Sequence, residues 1–238
     1  MTETRVRRRT GWLAATVHAV RSETSVARTI VLDVPGWTGH VAGQHLDVKL
    51  TAPDGYSAQR SYSLAAPADG ERIKLTVQRV EDGEVSPYLV DEVLPMDQME
   101  VRGPVGRWFT WHAASQEPVL LVAGGSGIVP LMAMVRERAR SGSTAPFTLV
   151  YSVRGPSDVF YADELAELDI DTTVLYTRTS VGTRPAGRIT AADLPEAVGA
   201  RVYVCGPTGF VEAVSELLLE RGHDAADIRT ERFGPSGG

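Results

Sequence analysis

The 238-residue sequence holds a single cysteine, Cys205. That count excludes an internal disulfide and an iron–sulfur cluster held by four cysteines of this chain, and it suits a reducing cytoplasm. Long apolar runs are also missing. None approaches the roughly 20 residues that span a bilayer, so no membrane insertion is expected. Net positive charge is absent too: 30 acidic against 24 basic residues give a formal net charge of −6, which argues against general affinity for nucleic acid. The one basic cluster, Arg5, Arg7, Arg8 and Arg9, has no apolar segment after it and is therefore no secretory signal. Residues 1–11 read as a flexible, solvated tail.

What is present is a globular composition, 43% hydrophobic and 23% charged, which separates the chain from disordered proteins. A chain of this length buries one large core or two ordinary ones, and a glycine turn near the midpoint favours two units, 12–114 and 115–238. The turn lies in the stretch from Val119 to Met134. Four apolar residues, Val119 to Val122, lead into Ala123, Gly124, Gly125, Ser126 and Gly127, which reads as a buried strand ending in a glycine loop. Pro130 suits the first position of a helix, and Leu131, Met134 and Val135 recur at helical spacing. Such a strand, loop and helix fits a dinucleotide site, because glycines admit close backbone approach and a helix N-terminus offers free N–H groups to a phosphate. It equally fits a plain strand-to-helix turn. Pro130 stands where the third glycine of G-x-G-x-x-G would follow Gly125 and Gly127.

The first half is rich in short strand patterns: Ala15 to Val20, Thr29 to Leu32, His45 to Leu50, and Ile73 to Val77 with its strict alternation. Their spacing predicts a small antiparallel barrel. Within it, Arg60-Ser61-Tyr62-Ser63 places Arg60 and Tyr62 on one side of a strand. Arginine pairs with phosphate and tyrosine stacks on a flat ring, but two polar residues on an edge strand would look the same. Further on, Gly83-Glu84-Val85-Ser86-Pro87 predicts a helix capped by Ser86, with Leu89, Val90, Val93 and Leu94 as its buried stripe. That is a second phosphate seat or simply a capped helix.

The second half alternates. Phe147 to Val153, Thr172 to Thr177 and Arg201 to Cys205 read as strands, and Asp158 to Leu168 and Gly209 to Arg221 as helices, the latter with Phe210, Val211, Val214, Leu217 and Leu218 on one face and Gly222 at its end. Alternation of this kind predicts a parallel sheet, whose ligands sit at the carboxyl ends of the strands; Gly124, Arg154, Arg178 and Cys205 all fall there.

Together, R-S-Y-S at Arg60, G-E-V-S at Gly83, G-G-S-G-I-V-P at Gly124 and C-G-P at Cys205 resemble the ferredoxin–NADP reductase superfamily in order and spacing, from about Trp12 to Phe233. The resemblance implies two domains, a six-stranded antiparallel β-barrel for FAD followed by an α/β parallel-sheet domain for NAD(P)H. It implies that Arg60 pairs with the FAD pyrophosphate, Tyr62 packs on the isoalloxazine, Ser63 lies near flavin N5, and Gly83, Val85 and Ser86 hold the pyrophosphate. Gly125, Ser126 and Gly127 would hold the nicotinamide dinucleotide, with Ser126 standing where many members carry threonine. Cys205, followed by Gly206 and Pro207, would lie beside nicotinamide C4, although a lone buried cysteine is also an ordinary small hydrophobe. Glu231 would position the nicotinamide and Phe233 would stack on the flavin; Gly234 to Gly238 follow where plant-type members stop.

The activity so implied is hydride transfer from NAD(P)H to FAD and single-electron delivery to a separate iron–sulfur protein such as a ferredoxin, or to a monooxygenase or other oxygenase component. No metal is expected on the chain. Two other classes stay open: a reductase that uses flavin as a dissociable substrate, and a nucleotide-sensing or electron-transfer subunit that works within a fixed complex. NADPH is expected over NADH, because the second strand of the parallel sheet ends in Arg154 rather than a carboxylate, with Arg178 and Arg188 further on. The same arginines would also suit a pyrophosphate or solvent.

Overall fold

A computed structural model describes residues 11–182, 184–196 and 199–234. The arginine cluster at 5–9 and the residues after Gly234 lie outside them.

Six strands form the first unit: β1 Leu13–Thr24, β2 Ala27–Asp33, β3 His45–Thr51, β4 Ser57–Ser63, β5 Arg72–Gln78 and β6 Gln98–Val105. Their order is β4-β3-β6-β1-β2-β5, antiparallel at each pairing. A bridge between Leu64 and Leu75, with the Ala65 N–H donating to the Lys74 carbonyl at 2.8 Å, joins the two edge strands and closes the barrel. Closure removes the exposed edges that an open sheet would leave. Inside lie Val17, Ile30, Leu32, Leu46, Val48, Leu75 and Val101, all fully buried, each worth about 1.5–3 kcal/mol of transfer from water.

A single wide helical turn, Tyr88–Glu92, plugs the barrel through Leu89, Val90 and Val93. The stripe ends earlier than its spacing predicts. The backbone leaves the helix at Val93 (ψ 134°), so Leu94 is 62% exposed. Ser86 does not cap the turn; its Oγ accepts from the Val80 N–H at 3.0 Å and closes the preceding loop instead.

The second unit is a parallel sheet of β7 Val119–Gly124, β8 Phe147–Val153, β9 Asp171–Tyr176, β10 Arg201–Pro207 and β11 Ile228–Phe233, in the order β11-β10-β7-β8-β9. Helix α1, Ile128–Ser141, and the short α2, Ala162–Ala166, cover one face, and α3, Thr208–Glu220, covers the other. Strand alternation sorts the contacts: Val119, Leu121 and Ala123 face α1, while Leu120 and Val122 face Val211, Val214 and Leu218 of α3. Both long helices end with a glycine at positive φ, Gly142 and Gly222, and with the paired backbone bonds that such an ending allows.

Three expectations about this unit shift. Pro130 is the third residue of α1, still within the turn whose N–H groups need no helical partner. The helix expected over 158–168 is reduced to α2, because Tyr161 enters it in a left-handed conformation, φ 58°. In α1 every residue from Ile128 to Val135 is buried, more than a one-sided stripe requires. The barrel covers its far side through Ala42, Ala65, Phe109 and Trp111, which join the same apolar cluster.

Polar groups fasten the same junction. The Arg136 guanidinium on α1 pairs with Glu164 of α2 (Nε–Oε1 2.8 Å) and donates to the Ala65 carbonyl of the barrel. Among the described residues no helix is long and apolar enough to cross a membrane.

Candidate functional site

Two sets of residues meet where the barrel abuts the carboxyl ends of the parallel strands. On the barrel, β4 carries Arg60 and Tyr62 on one face. Ser61 on the opposite face donates to Asp47 at 2.6 Å, and the same carboxylate takes Arg102 at 2.8 Å. Burial pushes the ionisation of the Tyr62 phenol far above its ordinary range, so this ring is a neutral, flat surface. Arg60 reaches the 83–86 loop: its Nη2 lies 2.6 Å from Glu84 Oε2, and its Nη1 donates to the Gln59 carbonyl at 2.7 Å. Folding therefore brings Arg60, Tyr62 and the Gly83, Val85, Ser86 segment into one neighbourhood. Val85 and Ser86 are buried.

On the parallel sheet, strand order reverses between β7 and β10, which is where such sheets open a crevice. The turns after these two strands pack backbone to backbone. A Cβ on Gly127 would sit 2.0 Å from the Cys205 carbonyl oxygen, so the glycine is demanded by packing. Gly125 differs: its φ is 55°, and nothing lies within 4 Å of where its Cβ would be. Neither α1 nor α3 has a side chain capping its N-terminus, so no side chain claims the first backbone N–H groups near Gly125–Gly127 and after Pro207. Such donors suit a diphosphate.

Arg154 and Arg178 are exposed neighbours, joined by the Arg178 N–H donating to the Arg154 carbonyl at 2.9 Å. Arg188 lies on another loop, where its carbonyl accepts from Arg184 at 3.2 Å. Arg184 also grips Asp193 (2.7 Å) and holds that carboxyl down at about 2. No salt bridge engages Arg154, Arg178 or Arg188 among the described residues.

The two sets approach each other at His45 and Glu231. His45 on β3 pairs in register with Ser63 on β4, and Cys205 on β10 pairs with Glu231 on β11. Across the junction, His45 Nδ1 lies 3.4 Å from Glu231 Oε1. Glu231 in turn raises the imidazole above its usual value of 6.5, against the opposing effect of burial. The second carboxylate oxygen, Oε2, is buried with no partner among the described residues. Cys205 is fully buried, and desolvation followed by the charge of Glu231 pushes its thiol well above the ordinary range, so it is a neutral thiol. Phe233 stands beside Pro207 in register and packs on the α1-side cluster.

Residues 16–110 match the family of oxidoreductase FAD-binding domains, and residues 121–216 match the family of oxidoreductase NAD-binding domains. The chain belongs to the ferredoxin–NADP reductase superfamily. Among its relatives is the glycine betaine monooxygenase reductase subunit of Pseudomonas aeruginosa, 30% identical over 82% of this chain and 56% of that protein. The reductase component of the naphthalene 1,2-dioxygenase system of Pseudomonas putida is also 30% identical, over 75% of this chain and 57% of its own length. The FAD/NAD-binding domain of a Vibrio cholerae nitric oxide dioxygenase superposes with a TM-score of 0.85 at 26% identity, covering 95% of this chain and all of that one. This superfamily member thus spans a little over half the length of the two Pseudomonas relatives. Its barrel is the FAD-binding domain and its parallel sheet the NAD-binding domain.

The donor set fits both cofactors of the superfamily: a guanidinium and a neutral ring on the barrel, uncapped helix starts and an open glycine on the sheet. Sequence reading overlooked two residues here. His45 sits in an ordinary strand pattern, and only strand register and domain contact give it a partner. Glu84 lies inside a motif read for its glycine, valine and serine.

Proposed function

We propose that the chain is a flavoprotein reductase that takes hydride from NAD(P)H onto FAD and passes electrons singly to a separate protein, a ferredoxin or an oxygenase component. The observation that carries this reading is the meeting of the two site halves at His45 and Glu231, 3.4 Å apart, with Ser63 on one flank and Cys205 on the other. FAD supplies the conversion of a two-electron donor to one-electron delivery. The chain supplies alignment: Arg60 and the Gly83, Val85, Ser86 segment hold the diphosphate, Tyr62 and Phe233 flank the isoalloxazine, and Ser63 stands at N5. Gly125, Ser126, Gly127, Gly206 and Pro207 seat the nicotinamide dinucleotide, and Cys205 and Glu231 set the approach of its nicotinamide. As a neutral buried thiol, Cys205 shapes the site rather than attacking anything. The named relatives, reductase components of a monooxygenase and a dioxygenase, support an oxygenase system as the acceptor. We take 12–114 and 115–238 as the extents of the two domains and the cytoplasm as the compartment, in keeping with a single buried thiol.

We also infer a preference for NADPH. Arg154 and Arg178 lie side by side at the adenosine end, and Arg188 adds a third guanidinium nearby in the chain, a setting for a dianionic 2′-phosphate.

The purified protein should be yellow and should bleach on addition of NADPH or NADH. A colourless protein that reduces added flavin would replace this reading with a flavin reductase. Arg60→Ala should lose FAD at low protein concentration; full occupancy would overturn the assignment of Arg60. Comparison of kcat/KM for the two nicotinamide cofactors tests the preference, and Arg178→Ala should erode the NADPH advantage while leaving NADH turnover nearly unchanged.

A further inference from the structure

The carboxylate of Glu84 stands between the two groups assigned to the FAD diphosphate. Its Oε2 is 2.6 Å from Arg60 Nη2, and Tyr56 donates its hydroxyl to Oε1. Its chain neighbours, Gly83, Val85 and Ser86, are the segment assigned to the same diphosphate. A carboxylate and a phosphate make the same demand on a guanidinium, two parallel N–H···O contacts to an anion. We propose that Glu84 competes with the FAD diphosphate for the Arg60 guanidinium and so sets how tightly the chain holds FAD. This rests on the reading that Arg60 meets the diphosphate.

Exposure makes the exchange feasible. The Arg60 and Glu84 side chains are 39% and 45% exposed, and a solvated ion pair of this kind is weak. A doubly charged diphosphate displaces it at small cost. The competition does not relax at neutral pH, since the Tyr56 hydroxyl and then Arg60 hold the Glu84 carboxyl below its usual range and keep it ionised. Displaced from Arg60, the carboxylate is still carried by the loop that seats the diphosphate, where like charges repel. Both effects weaken FAD binding. The chemistry therefore describes a flavin held firmly enough to work and loosely enough to exchange. The balance of charge is simple: one anion leaves the guanidinium as another arrives, and no proton moves.

The test is a dissociation constant for FAD, read from flavin fluorescence as the FAD-loaded full-length chain is diluted. Glu84→Gln keeps the shape and removes the charge, and it should tighten FAD by about fivefold to tenfold, the scale of a weak exposed pair plus a like-charge contact. In an Arg60→Ala background the same change should tighten FAD distinctly less, because the guanidinium that Glu84 competes for is gone and only the like-charge contact remains. An unchanged or weakened affinity in Glu84→Gln overturns the proposal, as does equal tightening in both backgrounds, which would mark general repulsion instead. If Arg60→Ala alone leaves the constant unchanged, the assignment of Arg60 to the diphosphate fails as well. If Arg60→Ala weakens binding and Glu84→Gln does not tighten it, only the competition fails.

Discussion

Tyr161 of the parallel-sheet domain donates its hydroxyl to Thr76 Oγ1 of the barrel at 2.6 Å, although 85 residues separate them in the chain. Thr76 Oγ1 lies 2.7 Å from Thr29 Oγ1, Thr29 donates to Glu23 at 2.6 Å, and Glu23 accepts from the Tyr161 N–H at 3.3 Å, which closes a ring of partly buried polar contacts between the domains. Removing the acceptor leaves a buried hydroxyl unpaired, so Thr76→Val should cost about 1–3 kcal/mol, and Tyr161→Phe about 1 kcal/mol. The double variant should cost less than the sum, because each change removes the same bond. Urea denaturation of the four proteins measures this; strict additivity would show that the bond contributes nothing.

His45 gives stability a pH dependence. Its folded-state pKa is raised above 6.5 by Glu231, so its contribution is fully present below about pH 6.5 and is lost as pH rises through the raised value. Asp47 also faces the imidazole and acts in the same direction. His40 and His223, both lowered by burial, contribute with the opposite sign, so the comparison has to be a difference. The melting temperatures of wild type and His45→Gln should lie furthest apart in mild acid and converge as the pH rises through the raised His45 value. A gap that does not change with pH would separate His45 from the charge of Glu231.

The two glycines of the central loop should respond differently to alanine. Gly127→Ala drives a methyl into the Cys205 carbonyl and should cost about 3 kcal/mol or more, since backbone cannot step aside as a side chain can. Gly125→Ala meets open space and carries only the left-handed penalty, about 1–2 kcal/mol. Equal losses in chemical denaturation would contradict the close packing of the two turns.

The thiol of Cys205 should be silent. Buried completely and held in its neutral form, it should not react with a thiol-specific disulfide reagent in the native protein, and one equivalent should react in denaturant. Rapid native labelling would place the thiol in a solvent-reachable site.

Local pattern alone determined much of this protein. The alternation of Ile73, Leu75 and Val77 reports a half-buried strand, Val119 to Val122 a buried one, and Val211, Val214 and Leu218 a helix face, because side-chain period follows backbone geometry whatever the neighbours are. The glycines at 124–127 and the Arg60 motif are likewise legible in the chain, as expectations for the two cofactor sites. Packing between distant segments decided the rest. Thr76 belongs to the polar face of its strand yet is buried, since Tyr161 covers it. Residues 128–135 are enclosed on all sides because the barrel closes over α1. Ser86 looks like a cap but binds Val80, and Leu94 falls past a helix that stops one residue sooner. The contacts of His45 with Glu231 and of Arg60 with Glu84 join residues with no common period. They exist only once strand register and domain docking have brought separate stretches of chain within a few ångströms.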